Sequence, residues 1–78
     1  MNKLKKMQIV EAVELIAMAR EIIDEVYADE RYYYDNMPKG LRFTDEHEDL
    51  RQNVRALEEF RASLDALNTD GLQEIVDG

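Results

Sequence analysis

Apolar residues in the first half of the chain recur at Leu4, Ala12, Leu15, Ile16, Ala19, Ile22, Ile23, Val26, Tyr27, Tyr33 and Tyr34. Intervals of three and four dominate, so one amphipathic helix is expected over about 3–35. Neither Pro nor Gly interrupts that stretch. Glu14, Glu21, Asp24, Glu25 and Arg31 fall on the opposite face, making an acidic surface. Ile9, Val10, Val13 and Ala17 widen the apolar surface at the start of the helix. A helix that is apolar on two sides has more than one neighbour, so these four residues are the expected dimer interface.

The pattern breaks between Asn36 and Phe43, where Pro38 and Gly40 stand. Proline turns the preceding residue from helical geometry and cannot continue the ladder, and Gly40 is expected to supply a left-handed turn. A second helix is expected over about 45–67, with Thr44 or Asp45 as N-cap and Asp45-x-x-Glu48 as a capping box. Asp45, Glu46, Glu48 and Asp49 add negative charge where the helix dipole is positive. Leu50, Asn53, Leu57, Phe60, Leu64 and Leu67 alternate as a heptad seam flanked by Val54, with Asn53 its polar position. Asn68-Thr69-Asp70-Gly71 closes that helix, and Leu72, Ile75 and Val76 fit a short helix over about 70–76.

The expected fold is therefore all-α and a single domain over residues 1–78: an antiparallel helical hairpin with a short C-terminal helix, associated as a dimer. At about 1.5 Å per residue the first helix outruns the second, leaving Leu4, Met7, Ile9 and Val10 for the C-terminal segment or another chain to cover. Seventy-eight residues hide only about 60–65 % of their unfolded surface, which makes self-association or a partner the expected source of extra stability. No cysteine is present to supply a disulfide or a thiolate metal site.

Ten Lys and Arg against eighteen Asp and Glu give a net charge of −8. That field repels phosphate backbones and disfavours nucleic acid as a partner. No apolar run reaches the roughly 20 residues needed to span a bilayer. The charged start, Met1 to Lys6, is not followed by an uninterrupted apolar segment, because Glu11 and Glu14 intervene. A cytoplasmic location is expected.

Candidate chemistry is sparse. His47, the one histidine, lies among Glu46, Glu48 and Asp49, but no Glu-x-x-His pair supports a carboxylate-bridged metal site. Glu11-x-x-Glu14, Glu21-x-x-Asp24 and Glu46-x-x-Asp49 are reminiscent of the Mg²⁺ motifs of all-helical nucleotide pyrophosphohydrolases. Their phase turns Glu14, Glu21 and Asp24 outward, whereas such a site needs carboxylates converging on the ion. Ser63 is the one serine and sits mid-helix, and no glycine-rich phosphate loop exists. The chain is expected to be no enzyme and to carry no metal or cofactor.

The bend differs from the rest. Tyr32, Tyr33 and Tyr34 precede it, and Arg31, Lys39, Arg42 and Phe43 stand nearby. By helical phase Tyr33 and Tyr34 continue the buried stripe while Tyr32 faces out. Tyr and Arg are enriched at binding hot spots. Tyr32, Tyr34, Arg42 and Phe43, with Arg31 and Lys39, are thus the expected contact with a protein partner, and the acidic face (Glu14, Glu21, Asp24, Glu25) is the second choice. A rigid acidic rod can also imitate nucleic acid in a basic groove, and the rings and cations can instead simply cap and solvate the hairpin end.

The stretch Asp29 to Leu41, followed by Leu50, Leu57, Glu58, Leu64 and Leu67, resembles a pattern in small phage- and prophage-encoded helical proteins. Those chains carry an acidic–aromatic stretch running into Asn-(Leu/Met)-Pro-x-x-Leu, then a helix rich in Leu, Ala and Glu. Here the position after Pro38 is Lys, and Gly40-Leu41-Arg42-Phe43 makes the bend more basic. The resemblance spans about half of the chain. It implies an accessory viral protein acting in a bacterial cytoplasm by binding a host protein or defence factor. Two other classes fit the same residues: an oligomeric sponge for an anionic small molecule such as a signalling nucleotide, and a structural or antitoxin-like subunit.

Overall fold

A computed structural model of the chain describes all of residues 1–78 and contains helices and no strands. Helix α1 spans Lys3–Asp35, α2 Asp45–Asp65 and α3 Asp70–Asp77, with one 3₁₀ turn at Lys39–Leu41 between α1 and α2. Asn2 caps α1, its side-chain oxygen accepting from the Lys5 amide. The helix stops at Asn36, whose backbone and side-chain N–H groups both donate to the Tyr32 carbonyl. Pro38 then lies extended, as expected of a residue that cannot extend the ladder.

Two expectations about the bend change. Gly40 has no left-handed conformation; it sits inside the 3₁₀ turn, and the chain reverses through Leu41 and Thr44 carbonyl–amide bonds. A Cβ at Gly40 would meet no atom within 4 Å. Gly40→Ala is therefore expected to stabilise the fold by about 0.4–1 kcal/mol through the unfolded chain, read as a raised denaturation midpoint. The N-cap of α2 is Thr44, whose Oγ1 accepts from the His47 amide and donates to the Leu41 carbonyl. That choice moves the third helical position to His47, so Asp45 and Glu48 form no capping box.

The hairpin is antiparallel: Tyr34 meets His47, Asp24 meets Arg61 and Arg20 meets Leu64, in reversed chain order. Beyond α2, the tail folds α3 back against α1. The result is a rod of 60 × 15 × 15 Å.

The faces differ from the periodicity reading. The less exposed positions of α1 are Lys6, Ile9, Val13, Ile16, Arg20, Ile23, Tyr27, Glu30 and Tyr34, a strict alternation of three and four. On α2 they are His47, Leu50, Val54, Leu57, Arg61 and Leu64. Val54, at 4 % exposure, is the one fully buried residue, and it is central rather than flanking. Leu4, Leu15, Ile22, Val26 and Tyr33 on α1, Phe60 on α2, and Leu67 in the turn after it are exposed. Half of the expected stripe, Leu15, Ile22, Val26 and Tyr33, has thus exchanged places with Ile9, Val13, Arg20 and Glu30, while Ile16, Ile23, Tyr27 and Tyr34 face inward as expected. Ile9 and Val13 lie on the inward stripe, along the part of α1 that extends past α2 and is contacted by α3, while Val10 and Ala17 remain exposed beside it. Leu72 and Val76 are the half-buried residues of α3.

The inward stripe carries Arg20, which explains the exchange. Its Nε and Nη2 donate to the Leu64 carbonyl at 3.1 and 2.8 Å, and Nη2 also donates to the Leu67 carbonyl at 2.8 Å. These are end carbonyls of α2 and of the turn that follows, which lack helical partners and carry the negative end of the dipole. A long cationic side chain is therefore at home in the seam at this height.

Candidate functional site

The two long sides of the hairpin differ in chemistry. One side is closed by polar and aromatic contacts. Arg61 Nε donates to Asp24 Oδ1 at 2.6 Å, and the Arg61 guanidinium lies 5.0 Å over the Tyr27 ring. The hydrogen bond that Arg61 donates to Asp24, reinforced by the carboxylate's charge, holds Arg61 above the ordinary arginine range. Asp24 consequently bridges the two helices while staying exposed, as do Glu14, Glu21 and Glu25.

The same side continues into the bend. Tyr34 stacks on His47, ring centroids 5.2 Å apart and planes 17° off parallel. Arg31 lies 5.8 Å from the centre of the Tyr34 ring and donates to Asp35 at 3.1 Å; that bond and charge raise the Arg31 pKa as well. Arg42 joins Tyr34, Asp35 and His47 around a shallow depression. Of the six residues expected to make the contact, Arg31, Tyr34 and Arg42 are thus gathered at one spot. The stack locks the end of α1 to the start of α2, and His47→Ala is expected to cost about 1 kcal/mol and lower the melting temperature by roughly 4–8 °C.

Tyr32, Lys39 and Phe43 project instead. Phe43 is 97 % exposed, a full aromatic ring held in solvent at the tip. Tyr33 is exposed too, and it packs edge-on against Tyr32 at 6.2 Å rather than continuing the buried stripe. Consecutive helical positions diverge by about 100°, so the inward position taken by Tyr34 turns Tyr33 to the flank.

The other long side is open and apolar. Val26 and Glu30 of α1 face Asn53, Ala56, Leu57 and Phe60 of α2 across a groove. Glu30 also borders a second depression toward the bend, walled by Tyr33, Met37, Leu41 and Leu50, so the two run on as one strip. Asn53, placed by periodicity at the helix–helix seam, lies on this open strip, as does Phe60. The sequence signal for the strip is a second heptad, Asn53, Ala56, Phe60, Ser63 and Leu67, running parallel to the buried one.

No group of three or more His, Asp or Glu side chains is arranged to hold a metal ion. No helix is long and apolar enough to cross a membrane. Comparisons with protein-family models, curated proteins and solved structures return no match to this chain.

Proposed function

We propose that the chain is a non-enzymatic interaction protein that binds and modulates another protein, presenting the tip of the hairpin as the contact. The observation that carries this reading is Phe43, almost wholly exposed next to Arg42 in the bend that the Tyr34–His47 stack closes. An exposed aromatic beside a cation is an anchor of the kind that binding hot spots use. A tip held by the Tyr34–His47 stack loses little freedom on docking, which favours affinity. In this reading the chain's net charge of −8 repels acidic surfaces and steers the protein as a whole toward a basic one. The phage-like stretch from Asp29 to Leu41 makes a bacterial host factor in the cytoplasm the proposed target. The chain is proposed to act as a dimer.

Affinity capture from bacterial lysate with the intact chain and with a Tyr32→Ala, Phe43→Ala variant tests this. Loss of the same partner from the variant, with helical content unchanged, supports it; undiminished capture refutes the tip as the contact. Arg42 and Tyr34 around their depression give the sponge reading its one specific feature. A thermal-shift screen with signalling nucleotides decides it, because a ligand at a hundred times its Kd raises stability by about 2.7 kcal/mol.

A further inference from the structure

We infer that the open strip along Ile22, Val26, Ala56 and Phe60 is where a second copy of this chain packs, pairing two hairpins side by side as a four-helix bundle. The inference deepens the proposed dimeric state and assigns it a surface. That surface lies on the opposite long side from Val10 and Ala17.

Area is the first support. A folded monomer of 9.2 kDa is expected to expose about 4,900 Å². This chain exposes 6285 Å², an excess of roughly 1,400 Å² over that expectation. Stable interfaces remove about 800 Å² from each partner, and obligate homodimers remove about 1,000–2,500 Å² from each. The excess fits the obligate class.

Its placement is the second support. Ile22 and Phe60 are 56 % and 54 % exposed, and Leu15, Met18, Val26 and Leu67 are exposed with them. Ile22 and Val26 are four apart and Asn53, Ala56, Phe60, Ser63 and Leu67 alternate by three and four, so each helix presents a second seam. A bundle needs each helix to offer two such seams, one to the partner within the hairpin and one across the dimer. The strip also carries its own polar pair, Glu30 and Asn53, in one groove. No ion pair within the chain engages Glu30. A polar position in an apolar seam fixes register at some cost in stability. A second copy offers the same pair under two-fold symmetry, because an isologous interface sets one patch against itself.

Charge sets the conditions. Each copy brings −8, so self-association is opposed at low ionic strength and tightens as salt screens the repulsion. An interface held by ion pairs would weaken instead.

Light scattering on the full chain tests the inference, with X-ray scattering for shape. The wild type is expected at twice the 9.2 kDa chain mass, with a maximum dimension near the 60 Å of one hairpin. Phe60→Glu is expected to raise the dimer Kd at least a hundredfold, while Ala17→Glu leaves it unchanged. Because Phe60→Glu can also loosen the fold, the wild-type dimension gives an independent reading: side-by-side packing keeps it near one rod length, and end-to-end contact nearly doubles it. A single-chain mass at all concentrations overturns the inference, as does a doubled length or a dimer broken by Ala17→Glu and not by Phe60→Glu. Partner capture by Phe43 is scored separately, so a monomeric chain that still loses its partner in the Phe43 variant refutes this inference alone.

Discussion

Arg20→Ala is expected to lower the melting temperature by roughly 8–16 °C, the equivalent of about 2 kcal/mol for a chain of this size. Three donor contacts from one guanidinium close the end of α2 onto the middle of α1. Hydrogen bonds to a charged group contribute about 1.5–3 kcal/mol, more than the neutral average. Removing the side chain leaves the Leu64 and Leu67 carbonyls without that donor at the point where α2 gives way to α3. The packing of α3 depends on the same point, so helical signal from residues 70–77 should be lost first on heating. Arg20→Lys restores the charge but not the planar fork that reaches two carbonyls together, and it should recover less than half of the loss. Thermal unfolding followed by circular dichroism measures both variants. Equal stability of Arg20→Lys and wild type would show that charge at the helix end, and not the paired geometry, is what matters.

Val54→Asp is expected to abolish the fold at 25 °C. Val54 is the one residue removed from solvent on all sides, so a carboxylate there would be taken out of water. Burying an unpaired charge costs several kcal/mol, while a single small core supplies no more than about 3–5 kcal/mol. Val54→Ala is milder. It removes two methyl groups at about 0.8 kcal/mol each and leaves a small void, for a total near 2 kcal/mol. The contrast with Phe60 is informative, because Phe60→Ala removes more carbon from a half-exposed site. Within one hairpin it should cost less than Val54→Ala. If it costs more, and the more so as concentration rises, the ring is being buried by a second copy.

Element positions were legible in the sequence because their signals are local. The Pro38 stop, the Thr44 cap and Thr69 before α3 mark helix ends that the structure has there, whereas α2 stops at Asp65, two residues short of the expected 67, and Gly71 lies inside α3. Which stripe faces inward was less legible. The expected stripe of α1 joined two overlapping heptads, one through Leu15, Ile22 and Val26 and one through Ile16, Ile23 and Tyr27, and hydrophobicity alone did not separate them. The second faces inward, with Arg20 and Glu30 on it, because Arg20 finds carbonyls at the end of α2, a partner more than forty positions away that no local window contains. On α2 the seam keeps Leu50, Leu57 and Leu64 as expected, while Asn53 and Phe60 lie on the open strip and Val54 and Arg61 are drawn in. At the bend, the cluster of rings and cations was readable as a cluster. The stacking of Tyr34 on His47 was not, since it depends on the register of two helices and not on either one alone.

The neighbouring positions Ile22 and Ile23 give the most direct test of the account, because the chain has no cysteine of its own and single-cysteine variants report each face cleanly. Thiol-labelling rates are measured for Ile22→Cys and Ile23→Cys across a range of protein concentration. The account predicts slow labelling at 23 throughout, with labelling at 22 fast in dilute solution and slowing as the chain associates. Fast labelling at 23 with protection at 22 in dilute solution would contradict it, because the inward stripe would then be the one through Leu15, Ile22 and Val26.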